Sequence, residues 1–160
     1  MPLEIFTTGG TIDKVYFDAK SHFQVGEPQI VEVLADANLN IDYRVVPLMR
    51  KDSLDLTEED RRLVRQAILE STSSQIVITH GTDTMIETAR SLGGIPEKSI
   101  VLTGAMQPAR FRFTDAVFNV AAAIMAAQTL TPGVYIAMNG RVFDPYSVRK
   151  NVEKNRFEEL

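Results

Sequence analysis

"SQIVITHGTDTMIETA", residues 74–89, decides the fold. The apolar run Ile76-Val77-Ile78 reads as a short buried strand. It stops at Thr79-His80-Gly81-Thr82-Asp83-Thr84, and a helical apolar pattern follows over 84–92. A buried strand that ends in several hydroxyls and a carboxylate within six residues needs a reason beyond turn formation.

The same alternation recurs outward from this stretch. Strands are predicted at 3–6, 41–48, 76–79, 99–103 and 133–138. Pro28 suits a first helical turn, and Ile30, Val33, Leu34 and Ala37 follow at helical spacing. Thr57-Glu58-Glu59-Asp60 reads as a hydroxyl cap with acids in the first turn, ahead of an apolar face of Leu63, Val64, Ala67 and Ile68. Residues 115–128 form a helix apolar on most sides, which predicts deep burial, with Phe118 in the core. Residues 12–25 read as a loop or irregular hairpin and are expected to act as a mobile lid; 139–160 are polar and charged. Strands alternating with helices predict an α/β fold, a mostly parallel sheet with helices on both faces. No repeat or linker composition divides the chain, so 1–160 is expected to be one domain.

Composition narrows the function classes. The chain has 160 residues, 44% of them hydrophobic and 24% charged, with a net charge of −4 and no Cys. An acidic chain gives nucleic acid no basic stripe, and the absence of Cys removes disulfides and thiolate ligation. No signal-peptide pattern and no span-length apolar segment is visible, which predicts a soluble cytoplasmic protein without a membrane partner.

Three predicted strands end in small, polar, glycine-containing segments: Thr7-Thr8-Gly9-Gly10-Thr11, Thr79-His80-Gly81-Thr82-Asp83 and Thr103-Gly104-Ala105-Met106-Gln107-Pro108. In open α/β sheets ligands bind beyond the carboxyl ends of the strands, so all three would line one crevice. The turns match neither a dinucleotide fingerprint nor a phosphate loop. One carboxylate and two isolated His give no metal-ligand geometry, so neither metal nor cofactor is expected. His22 and His80 do not form a triad with a Ser. What remains is a hydroxyl nucleophile served by a base other than His, with Lys the usual candidate and Tyr a second. Taken singly, each segment has a plainer reading: Thr82 as a helix cap, Asp83 as a partner of the helix dipole, His80 as a hydrogen-bonded structural residue, and Lys150 as solvated surface.

Together, "TTGGTID", "ITHGTDTMIETA" and "LTGAMQP" resemble the bacterial-type L-asparaginases in order and separation. The resemblance covers essentially the whole chain but only the family's larger N-terminal domain, so the chain reads as a short, single-domain form. It implies hydrolysis of the side-chain amide of L-asparagine through a threonine acyl-enzyme, releasing ammonia and then aspartate. It implies Thr11 as nucleophile. Thr82 and Asp83 match the second catalytic Thr and the Asp that grips the substrate's α-amino group, and Lys150 matches the Lys that pairs with Asp83 and polarises Thr82. The partner Tyr is assigned to Tyr16; in many longer relatives it precedes a Val-Gly pair, where this chain has Phe23. Ser53 matches the residue that holds the α-carboxylate. Gly10, Gly81 and Ala105 complete the substrate-binding set, with Gly104 and Met106 beside Ala105. The resemblance also implies a homo-oligomer, a dimer or a dimer of dimers. Two other readings stay open: the ammonia-generating subunit of an amidotransferase acting on aminoacyl-tRNA, and a module that binds aspartate or asparagine without turnover.

Overall fold

The computed structural model describes residues 1–16 and 23–160, with the side chains of Tyr16 and Phe23 left out. Six strands form the main sheet: β1 (Leu3–Gly9), β4 (Tyr43–Lys51), β5 (Gln75–Thr79), β6 (Ser99–Thr103), β7 (Gly133–Met138) and β8 (Arg141–Phe143). Their order is β4-β1-β5-β6-β7-β8, parallel throughout except for β8, which runs antiparallel to β7. Pro47 is tolerated because β4 is an edge strand.

The inner strands bury both faces, so their side chains split into two cores by the two-residue period. Ile76, Ile78, Ile100, Leu102, Ile136 and Met138 point to one side. There they meet Val64 and Ile68 of α2 (Glu58–Glu70) and Met85, Ala89 and Leu92, the first two on α3 (Met85–Ser91). Val77, Val101 and Ala137 point to the other side, against Ile30 and Leu34 of α1 (Ile30–Asp36) and Val120, Ala123 and Ile124 of α4 (Ala116–Thr129). The cap expected at Thr57 is a reciprocal one: Asp60 N donates to Thr57 Oγ1 at 3.2 Å, and Thr57 N donates to Asp60 Oδ2 at 2.9 Å.

Two expectations are corrected. Helix α4 is buried on one side only: Val117, Phe118 and Met125 are 53%, 64% and 59% exposed, so Phe118 is not a core residue. A helix lying on a sheet presents one stripe to it, and apolar residues beyond that stripe stay outside. The strand expected at 41–48 is β4, which begins at Tyr43 and runs on to Lys51. The charged tail beyond β7 is ordered as β8, β9 (Val148–Asn151) and β10 (Arg156–Glu159), the last two an antiparallel pair. In the segment 12–25, Thr11–Asp13 forms a 3-10 turn, and β2 (Lys14–Tyr16) pairs antiparallel with β3 (Phe23–Val25). The remainder of the expected lid, 17–22, lies outside the described residues.

Candidate active site

Thr7, Thr79 and Thr103 stand in register across β1, β5 and β6. The three segments that follow them therefore leave the sheet along one edge. The turn after β4 joins them, because Gly10 N donates to Lys51 O at 2.9 Å.

Glycine makes this convergence sterically possible. Gly10 has φ +85, and a Cβ there would lie 2.4 Å from Gly81 N. A Cβ on Gly81 would lie 2.6 Å from Ser53 Cβ. The backbones of three strand ends thus touch at Gly10, Gly81 and Ser53. Thr11 and Thr82 each follow one of these glycines directly.

Lys150 reaches the same strand ends from far along the chain. Its Nζ donates to Thr82 Oγ1 at 2.8 Å and to Asp83 Oδ1 at 2.7 Å. The β9–β10 hairpin sets this position. Val148 and Lys150 share a face of β9, and Phe157 pairs directly opposite Lys150. Val148 and Phe157 are each 2% exposed in the α3-side core, which presses that face of the hairpin onto the sheet. The Lys150 side chain is 17% exposed and that of Asp83 46%, so the ion pair sits at the solvent side of the converging strand ends. Thr82 is buried.

Ser53 is buried, its Oγ accepts from Thr84 N at 3.3 Å, and its carbonyl accepts from Thr84 Oγ1 at 2.7 Å. It braces the turn from which Thr82 and Asp83 project. Ala105 is buried in the α4-side core. Among the described residues no hydrogen bond joins the Thr11 hydroxyl to Lys150, Thr82 or Asp83. The Tyr16 side chain lies outside the described residues.

His80 has the structural role that the plainer reading assigns it. Its Nδ1 is 2.7 Å from Gly81 O, and a carbonyl only accepts, so Nδ1 carries the proton. Nε2 then accepts from the Thr88 hydroxyl at 2.8 Å, and the same hydroxyl oxygen accepts from Arg61 Nε at 3.1 Å. Burial, aided by the charge of Arg61, pushes the imidazole down to about 4, so it is neutral here. The chain Arg61–Thr88–His80 holds the Gly81 carbonyl from below.

Several supporting residues were missed in the sequence. Arg61 lies three residues before Val64 and seven before Ile68, so a charge sits on a buried stripe of α2; that spacing was the available signal. Asn119 within apolar α4 donates to Gly104 O at 2.9 Å. The Asp115 carboxylate accepts from Met106 N at 2.9 Å and Gln107 N at 3.0 Å, fixing the turn after β6. Both are polar groups at an otherwise apolar helix, a pattern that calls for a partner.

Known proteins share this arrangement of chain. The family model described as Asparaginase, N-terminal, matches residues 3–158. The chain is 30% identical over 150 residues to an L-asparaginase from Thermococcus kodakarensis, covering 89% of this chain and 45% of that protein. It is 41% identical over 78 residues to a glutamyl-tRNA(Gln) amidotransferase component from Methanococcus vannielii, 48% of this chain and 18% of that one. The solved thermostable L-asparaginase from Thermococcus kodakarensis superposes with a TM-score of 0.88 at 27% identity, over 100% of this chain and 51% of that chain. The chain thus spans less than half the length of these two curated relatives and about half of the solved chain.

Proposed function

The chain belongs to the asparaginase N-terminal family, and from that premise we propose that it is an L-asparagine amidohydrolase working through a threonine acyl-enzyme. The observation that carries this reading is the Lys150 ammonium 2.8 Å from Thr82 Oγ1 and 2.7 Å from Asp83 Oδ1, beside the turn that bears Thr11. A lysine brought 67 and 68 residues through the fold onto a hydroxyl and a carboxylate is a proton-handling arrangement rather than solvated surface.

In the proposed reaction Thr11 Oγ attacks the side-chain amide carbon, and its proton passes to a neighbouring base. The tetrahedral oxyanion takes hydrogen bonds from N–H groups of the glycine turns; one such donor is worth ~3 kcal/mol of barrier. The C–N bond breaks, the nitrogen takes up a proton and leaves as ammonia, and an aspartyl ester remains on Thr11. Water then attacks the ester carbon, activated by Thr82 through Lys150, and aspartate leaves. Asp83 holds the substrate's α-amino group, Ser53 its α-carboxylate, and Gly10, Gly81 and Ala105 form the walls. Tyr16 shuttles the proton at Thr11. The reaction needs no metal or cofactor.

The test is ammonia release from asparagine and from glutamine, with acid quenching of a slow ester or hydroxamate analogue and peptide mass spectrometry. Asparagine turnover with an aspartyl adduct on the Thr11 peptide supports the reading. An adduct on the Thr82 peptide reverses the two threonines. Release from glutamine in preference to asparagine favours the second reading, an ammonia-supplying amidotransferase component, which the 41% identity to the Methanococcus vannielii protein motivates. Binding of aspartate without any ammonia release would make it a binding module.

The same reading includes one domain over 1–160, a cytoplasmic location and a homo-oligomer. No helix among the described residues is long and apolar enough to cross a membrane. Phe113, Val117, Phe118 and Met125, on or just before α4, form the kind of exposed apolar surface that a second copy covers. A monomer by light scattering at working concentration would refute the oligomer.

A further inference from the structure

Asp13 is a buried carboxyl that the proposed reaction does not use, two residues beyond Thr11 and 1% exposed. Its polar groups reach three separate segments. Its N donates to Gly10 O at 3.1 Å, closing the turn that carries Thr11. Its carbonyl accepts from Gly26 N at 2.9 Å, just past β3. Its Oδ1 accepts from Gln29 N at 2.9 Å, at the start of α1. Ile12 beside it is fully buried, and its carbonyl accepts from Ala109 N at 3.0 Å. The strand pair β2–β3 therefore leaves from and returns to one residue, and that residue is part of the Thr11 turn.

A neutral acceptor would satisfy the Gln29 N–H as well, so a carboxyl in this place has a cost. Burial pushes Asp13 up to about 7, against the Gln29 amide and the charge of Arg50, which pull it down less. The charged groups on the segments packed around it, among the described residues, are few. Lys14 pairs with Asp52 at 3.8 Å, and Arg50 of β4 pairs with Glu27. Glu32 and Asp36 lie on α1, and Arg110 lies next to Ala109.

We propose that Asp13 is a positioning residue for the Thr11 hydroxyl: its carboxyl clasps the 10–13 turn to the start of α1, and losing its proton loosens that clasp. The neutral carboxyl still accepts the Gln29 N–H, whereas a charge buried there favours any opening that lets water reach it. Loosening shifts a hydroxyl that must sit within a fraction of an ångström of the attacked carbon. The inference rests on Thr11 as the nucleophile, and it can be tested apart from that reading.

The experiment measures kcat and KM for asparagine from pH 5.5 to 8.5 in wild type, Asp13→Ala, Asp13→Asn and Gln29→Pro, with amide hydrogen exchange over 10–13 and 26–29. Gln29 has φ −74, which the proline ring accepts, and the ring would remove the donor and push against Asp13 Oδ1, so this variant breaks the clasp from the α1 side. Wild-type kcat should fall above pH about 7 as Asp13 ionises. Asp13→Asn should abolish that step and hold one pH-independent rate. Asp13→Ala and Gln29→Pro should lower kcat roughly tenfold with little change in KM, because orientation acts in the transition state. Exchange at 10–13 should quicken in both. A neutral-range step that persists in Asp13→Asn, or wild-type kcat in a folded Asp13→Ala or Gln29→Pro, overturns the proposal. If wild type turns over no asparagine, the functional reading fails by itself. Exchange over 10–13 then decides on Asp13: faster in Asp13→Ala upholds the clasp, unchanged overturns it.

Discussion

Two buried titratable groups oppose one another in this fold, and replacing one should expose the other. His80 is held down at about 4 and Asp13 up at about 7, from ordinary values of 6.5 and 3.8. Between those limits an unfolded chain protonates His80 while the folded one does not, so stability from His80 is present above pH 6.5 and is lost as pH falls toward 4. Asp13 works in the other direction. The folded chain keeps its proton where the unfolded one has lost it, so its contribution is present below pH 3.8 and is lost as pH rises through about 7. Each group has a slope of ~1.4 kcal/mol per pH unit, of opposite sign, over roughly pH 4.5–6.5. Their sum is near zero there, and wild-type stability from these two groups should be flat. The lowered carboxyl groups Asp60 and Glu158 do not disturb the window, since they titrate below their ordinary values of 3.8 and 4.5.

Asp13→Asn removes the falling branch and keeps an acceptor for Gln29 N. Its stability should climb by ~2 kcal/mol from pH 4.5 to 6.5, against a nearly flat wild type. At pH 7 the variant should exceed wild type by up to ~4 kcal/mol, the cost of ionising Asp13 in the fold. Urea melts at pH 4.5, 5.5 and 6.5 with a common m-value measure this directly. Parallel pH profiles for the two proteins would refute the reasoning, because the difference between them is the Asp13 titration itself.

Lys150→Ala should lower asparagine turnover by at least ~10²-fold while leaving the melting midpoint within a few degrees, since its ion pair is at the solvent side of the strand ends; near wild-type rates would remove it from the reaction. Gly104→Ala places a Cβ 2.2 Å from the His80 carbonyl oxygen. It should destabilise by ~3 kcal/mol or prevent folding, and a neutral effect in urea melts would contradict that packing. Thr57→Ala should cost ~1 kcal/mol through the lost cap without changing KM, read from denaturation and kinetics together. Tyr16→Phe should slow acyl transfer more than it weakens aspartate binding; equal rates in stopped-flow acylation would return the proton role to another residue.

The strand-and-helix alternation, the capped α2 and the gathering of glycine-bearing strand ends at one sheet edge were legible in the chain because each rests on local chemistry. An apolar run of the right length, a Thr followed three residues later by an acid, and glycines at strand ends carry their meaning within a few residues. The places of Thr11, Thr82 and Asp83 just beyond two strand ends were legible for the same reason.

What lay beyond reach depends on contacts far apart in sequence. The charged stretch after β7 folds back as β8, β9 and β10 because Phe143, Val148 and Phe157 find the α3-side core, and three large residues spaced along a polar segment show no period of their own. That docking carries Lys150 onto Thr82 and Asp83, a pairing that the family resemblance implies and no local pattern shows. The exposed side of α4 is the converse case: its apolar residues are evenly spread, and nothing local says which of them face the sheet. Arg61, Thr88 and His80 form one buried network only because α2, α3 and the turn after β5 pack together. Composition and period determine which elements form and where a site can open. Which side chains meet in that site is decided by how those elements pack, because hydrogen bonds and ion pairs depend on distances of about 3 Å that the chain fixes only when it is folded.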